Sequence, residues 1–175
     1  MNKQKIKIER ALLSVFDKTG IVGLAESLNQ HDVEIISTGG TAKTLDDAGL
    51  AVTGVGAYTG FPEIMDGRIK TINPLVEGGI LGLRDKHEDD AKANNIKWID
   101  LVVCNLYPFS KIISQADCDL MAAMDNVDIG GPTMIRSAAK NVGWVTVVVD
   151  PHDYQSIIDE LDEFVEISFE TRKKL

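Results

Sequence analysis

Asp128, Ile129, Gly130, Gly131, Pro132 and Thr133, followed by Lys140 and Asn141, place a carboxylate, two bare backbone amides and an ammonium around one helix start. Two glycines leave the N–H groups unshielded, and Pro132 suits the first helical position. The helix running to Lys140 points its positive end back toward Gly130, so the segment can bind an anion or stabilise a developing oxyanion. The plain structural alternative is a glycine-capped loop with Lys140 resting favourably at a helix C-terminus. Arg136 and Lys140 stand four apart and would repel on a bare helix, which favours a nearby anion such as Asp128 or a ligand. Thr38, Gly39, Gly40 and Thr41 can form a backbone nest that fits a phosphate, or a threonine cap after a glycine turn. Lys18 and Thr19 could add an ammonium and a hydroxyl to the same anion. Arg68 and Lys70, beside Thr71, form a cationic pair able to hold phosphate or polarise a carbonyl. Tyr107 ends a buried strand immediately before Pro108, a rigid position that suits hydrogen bonding to a ligand or transition state, or simply packs.

These residues are spaced by a repeating pattern of strands and helices. Ala11 to Val15 reads as a buried strand, and a helix with Ile21, Leu24 and Leu28 on one face follows. Val33 to Ser37 is the next strand, and Thr38 to Thr41 open a helix ending near Gly49, before a short strand at Leu50 to Val55. Arg68 to Gly82 reads as a short helix and a strand. A helix over His87 to Asn94 leads to the strand Ile99 to Cys104, and Pro108 begins another helix. After the Gly130 helix come the β-branched strand Trp144 to Val149 and a helix over Tyr154 to Leu161. Such alternation implies a three-layer, doubly wound α/β fold with a mainly parallel sheet and helices on both faces. Ligands of such sheets bind outside the carboxyl ends of the strands, where Phe16 to Gly20, Thr38 to Thr41, Asn105 to Tyr107 and Asp128 should therefore share an edge. A small anionic ligand is the simplest common cause of four such loops.

One domain of 175 residues can bury a sizeable core without staples. A formal charge of −9 argues against a general nucleic-acid binder but permits a local basic pocket. Cys104 and Cys118 lack partners at metal-ligand spacing and read as buried free thiols in a reducing compartment rather than a disulfide or zinc site. The chain has no apolar run long enough to span a bilayer and no signal-peptide pattern at Met1 to Arg10, so a cytoplasmic location is expected.

The strings SVFDKTG (Ser14 to Gly20), STGGTA (Ser37 to Ala42), TGFPEIM (Thr59 to Met65), DGRIKT (Asp66 to Thr71), NLYPF (Asn105 to Phe109), DIGGPT (Asp128 to Thr133) and AAKN (Ala138 to Asn141) occur in this order. With them the chain resembles the N-terminal, inosine monophosphate (IMP) cyclohydrolase domain of PurH, the bifunctional aminoimidazole carboxamide ribonucleotide (AICAR) transformylase/IMP cyclohydrolase family. The resemblance implies a methylglyoxal-synthase-like fold and closure of the purine six-membered ring of formyl-AICAR, with loss of water. It implies no metal and no cofactor, a purine ribonucleotide as the partner molecule, and it allows a homodimer. By resemblance Lys140 is the leading proton donor and acceptor, Asp128 orients or deprotonates the carboxamide, and Lys70 and Tyr107 stabilise charge on the reacting oxygen. Phosphate and ribose contacts carry over to the loop Phe16, Asp17, Lys18 and Thr19, to Thr38, Gly39, Gly40 and Thr41, and to Arg68, Ile69 and Thr71. Cys104, Asn105, Ile129, Gly130 and Gly131 are implied to line the base.

The chain departs from that family's pattern at defined places. Phe16 stands where the family usually has serine, losing a hydroxyl expected at the phosphate. Ile72, Asn73, Pro74, Leu75, Val76, Glu77, Gly78 and Gly79 stand where it commonly continues Leu-His-Pro-Lys-Val-His-Gly-Gly. No transformylase domain follows in these 175 residues, and Phe164 to Leu175 reads as the start of helical structure that continues in the family. A non-catalytic nucleotide-binding module of the same fold is the alternative; retention of Lys70, Tyr107, Asp128 and Lys140 favours the enzyme.

Overall fold

The computed structural model describes residues 1–115 and 117–175. In chain order the elements are β1 (Ile6–Lys7), β2 (Arg10–Val15), α1 (Ile21–Gln30), β3 (Glu34–Ser37), α2 (Gly39–Asp47), β4 (Thr53–Gly54), α3 (Val55–Thr59), α4 (Pro74–Leu81) and α5 (Glu88–Ala93). They continue with β5 (Leu101–Asn105), α6 (Phe109–Ile113), α7 (Leu120–Asp125), α8 (Gly130–Lys140), β6 (Thr146–Val148), a 3-10 turn (Pro151–Asp153), α9 (Tyr154–Phe164), β7 (Glu166–Ile167) and α10 (Phe169–Lys174).

Five strands form one parallel sheet in the order β4-β3-β2-β5-β6. The chain leaves β2 in one direction to build β3 and β4, and later returns to its other side to build β5 and β6. The reversal beside β2 opens a crevice at the strands' carboxyl ends. Because helices cover both faces, the strand centres carry consecutive apolar residues rather than alternate ones, as at residues 11–13, 35–36 and 101–104. Leu13, Ile35 and Val103 pack with Leu24, Leu28, Ile157 and Leu161 of α1 and α9 on one face. Their neighbours Leu12, Ile36 and Val102 pack with Val76, Ile80, Met134 and Ala138 of α4 and α8 on the other. The doubly wound, three-layer fold is therefore as expected.

Local expectations are corrected in four places. Arg68 to Gly82 contains no strand: Ile64 and Ile69 form a single antiparallel bridge, and Pro74–Leu81 is a helix. Asn73 caps α4 by accepting the Leu75 N–H at 2.8 Å, with Pro74 at the first helical position. The strand expected over Leu50 to Val55 is paired only at Thr53–Gly54, because Val55 already begins α3. Pro132 is the third residue of α8, since the helix starts at Gly130. A two-stranded antiparallel pair, β1 with β7, joins the two ends of the chain and was not expected. Among the described residues no helix is long and apolar enough to cross a membrane.

Candidate functional site

A cavity of about 450 Å³ opens where the loops after β2, β3 and β5 meet the start of α8. Its walls come from five separate stretches of chain. The β2 end contributes Ser14, Val15, Phe16 and Lys18; the β3 end contributes Thr38 to Thr41. The turn after residue 65 contributes Asp66, Gly67, Arg68, Lys70 and Thr71, the β5 end Cys104, Asn105 and Tyr107, and the last wall runs from Met124 to Gly131 with Met134.

Thr38 caps α2 from an extended backbone, and the Gly39 and Gly40 amides of the first turn have no acceptor among the described residues. They are orphan donors at the positive end of a nine-residue helix. The Thr38 hydroxyl is 2.8 Å from that of Ser14, and Thr41 ties its hydroxyl to the Val15 backbone at 3.0 Å. The β2 and β3 ends are thereby held in register around the nest. Lys18 folds inward, donating to the carbonyls of Val15 and Phe16, and burial lowers its pKa from the ordinary lysine value.

Arg68 and Lys70 are presented by a tight turn. Met65, Asp66 and Gly67 all have positive φ (55°, 55° and 83°), a run that only glycine adopts without cost. The turn is clasped by mutual backbone hydrogen bonds of Ile64 and Ile69 at 3.2 and 3.3 Å. Ile69 itself is absent from the cavity wall, a correction of the expected contact. Its backbone closes the turn, and its neighbours on either side reach the cavity. Arg68 Nη2 donates to Asp125 Oδ1 at 2.6 Å, and Lys70 Nζ lies 3.9 Å from Glu63 Oε1.

At the start of α8, Asp128 Oδ1 accepts the Gly131 N–H at 2.9 Å, so one of the two bare amides orients the carboxylate. A Cβ on Gly130 would stand 2.8 Å from the Thr71 hydroxyl, and one on Gly131 2.6 Å from Asp128 Oδ2. A side chain at either position would push its neighbours aside, Asp128 among them, and Thr71 is buried against the helix start. Asn105 is spent on scaffolding: its Oδ1 accepts from the Phe16 and Asp17 amides at 2.7 and 2.8 Å, and its Nδ2 donates to the Asp17 carbonyl. Cys104 is buried, and loss of solvation together with nearby Asp128 pushes its thiol up to about 12. A thiol titration of the native protein at pH 8 should count one reactive cysteine, the partly exposed Cys118, and two after denaturation. Two fast native thiols would contradict the placement of Cys104.

The expectation that Lys70, Tyr107, Asp128 and Lys140 converge is met by the first three and not by the fourth. Lys140 is the last residue of the helix whose first turn builds the site. Ten residues of helix carry it about 15 Å away, toward the opposite edge of the sheet. It is exposed there, and neither Lys140 nor Arg136 forms an ion pair among the described residues. Asp17 and Thr19 are also displaced: they line a neighbouring, more open cavity with Pro108, Lys111, Asp150 and His152. The cause is local, since Asp17 Oδ1 turns back to accept the Thr19 N–H at 2.9 Å.

Phe16 lines both cavities and is 46% exposed, its ring stacked on Tyr107 at 4.7 Å between centroids and 45° between planes. Phe16→Ser is therefore expected to change stability by less than about 1 kcal/mol. Loss of a core phenylalanine would instead cost about 3 kcal/mol or more, and thermal melting separates the two. The other departures lie outside the wall: Asn73 is a helix cap, and Glu77 accepts the Ser137 hydroxyl at 2.6 Å, tying α4 to α8. Asp66, Asp125 and Ser14 belong to the cavity and were not anticipated. Asp125 was hidden because α7 had not been recognised as an element. Among the described residues no group of three or more His, Cys, Asp or Glu side chains is placed to hold a metal ion.

Comparison with known proteins agrees with this fold. Residues 20–133 match the family model of the MGS-like domain, and residues 138–175 match that of the AICARFT/IMPCHase bienzyme. A solved structure described as "Crystal structure of ForH" is 33% identical, with a TM-score of 0.86, the match covering 95% of this chain and 86% of that one. The second match relates the chain to the purine-biosynthesis bienzyme.

Proposed function

The chain belongs to the family of MGS-like domains, and from that premise we propose that it is an IMP cyclohydrolase, closing the six-membered ring of formyl-AICAR with loss of water. The observation that carries this reading is the meeting of Lys70, Tyr107 and Asp128, from three distant stretches, in one cavity with the Thr38–Thr41 nest and Arg68.

The reaction asks for what these groups can supply. A carboxamide nitrogen, a poor nucleophile, attacks the neighbouring formamide carbon. Asp128, held by the Gly131 amide, accepts the proton that leaves the nitrogen. Lys70 and Tyr107 stabilise the negative charge gathering on the former formyl oxygen and supply its proton. The hydroxyl then leaves as water, a proton leaves the former formamide nitrogen, and the ring's double bond forms; no oxidation or reduction is involved. Both reacting groups belong to one molecule, so gripping its phosphate at the nest, Lys18 and Arg68 holds them in register and supplies much of the acceleration. The proton-transfer role first given to Lys140 passes to groups inside the cavity.

The distance of Lys140 from the cavity is the one observation that favours a non-catalytic nucleotide-binding module. Following purine absorbance after mixing the protein with formyl-AICAR decides between them. The cyclohydrolase reading expects many turnovers per molecule; tight IMP binding with a rate no greater than the uncatalysed one would establish the module instead.

A further inference from the structure

The cavity's cations are engaged by the chain's own acceptors. Lys18 donates to two backbone carbonyls, Lys70 faces Glu63, and Arg68 donates to Asp125. Of these contacts, only that of Arg68 is a charged hydrogen bond to a side chain of the cavity wall. It is also poised for exchange: the side chains of Arg68 and Asp125 are 71% and 57% exposed, so their attraction is weakened by water. Asp125 ends α7, a helix that buries no side chain, and nothing in a core holds its carboxylate in place. A phosphate ester carries up to two negative charges and can accept both arms of a guanidinium. A phosphate in the cavity competes for the Arg68 Nη2 that Asp125 holds, and it is a stronger partner than a single exposed carboxylate.

We propose that Asp125 is a built-in competitor for phosphate, occupying Arg68 until a phosphate displaces it. The inference rests on the nucleotide reading of the cavity. A phosphorylated ligand exchanges one anion for a stronger one at Arg68, whereas a neutral nucleoside leaves the ion pair intact and gains nothing from it. Asp125 therefore lowers affinity for every phosphorylated ligand by a fixed factor, and it does so only through Arg68.

Calorimetric titration of the wild type, Asp125→Asn, Arg68→Ala and the double variant with IMP and with inosine tests this. Asp125→Asn should bind IMP about fivefold more tightly and inosine no differently. In the Arg68→Ala background the same change should alter IMP affinity by less than twofold. Unchanged or weaker IMP binding by Asp125→Asn would overturn the proposal, as would equal tightening with and without Arg68, which would mark a general charge effect. Failure of all four proteins to bind IMP, with normal thermal melting, would remove the nucleotide reading and this inference with it. Binding by the wild type without the expected coupling removes only the inference.

Discussion

Asp128→Asn is expected to lower turnover of formyl-AICAR by at least about a hundredfold while leaving IMP affinity within about threefold. The substitution is close to isosteric and keeps an oxygen to accept the Gly131 N–H, the contact that sets the side chain's direction. The start of α8 therefore stays capped, and Gly131 still fits against it. What disappears is the ability to take a proton from a reluctant nitrogen. General acid–base groups contribute about 10²- to 10⁴-fold, and this loss falls on the rate rather than on product binding. Arg68→Ala should do the reverse, because a phosphate is attracted equally in ground and transition states. Turnover of Asp128→Asn within tenfold of the wild type, or a parallel loss of IMP affinity, would contradict the role given to Asp128.

Arg172→Met is expected to cost stability without altering the chemistry of the molecules that remain folded. Arg172 is buried, and its guanidinium donates to the carbonyls of Val142, Ile167, Gln4 and Gly143 at 2.9, 2.6, 2.9 and 3.5 Å. One side chain thus ties the first residues, the turn after α8 and the β7 end. Burial and then the nearby Arg84 charge lower its pKa from the usual arginine value, with Glu160 partly opposing. Methionine fills much of the same volume but leaves several buried carbonyls without a donor. Each such loss costs about 1–3 kcal/mol, and a total of roughly 4 kcal/mol would lower the melting temperature by about 10 °C for a chain of this size. Because these contacts lie beyond the far end of α8, turnover per folded molecule should hold within about twofold. A melting temperature within 2 °C of the wild type would show that the carbonyls find other donors.

The sheet was legible because parallel strands covered on both faces are written as unbroken apolar runs, and β2, β3, β5 and β6 are such runs. The site loops after β2 and β3 were legible because they are glycine- and hydroxyl-bearing breaks directly after those runs. What failed was reading nearness in sequence as nearness in space. Asp128 and Lys140 belong to one motif-rich segment, but a straight helix of this length holds its two ends apart. The turn bearing Arg68 was opaque because the first of its three left-handed residues, Met65, carries a side chain that gives no hint of positive φ. The strand expected within Arg68 to Gly82 is absent; the apolar residues and paired glycines of α4 imitate one, and its cap, Asn73, was seen only as a departure. β1 with β7 escaped notice since a pairing of two residues each, across nearly the whole chain, leaves no local pattern. Asp125 followed α7 into obscurity, for a six-residue helix with no buried face has no apolar period to detect.

The proposed function requires one cavity at the carboxyl edge of the sheet both to grip the phosphate and to close the ring. A crystal structure with IMP bound tests it most directly. The phosphate should lie on the Gly39 and Gly40 amides within reach of Arg68, with the six-membered ring against Lys70, Tyr107 and Asp128. IMP seated instead in the neighbouring cavity beside Lys111 and His152, or with its six-membered ring turned away from Asp128, would contradict it.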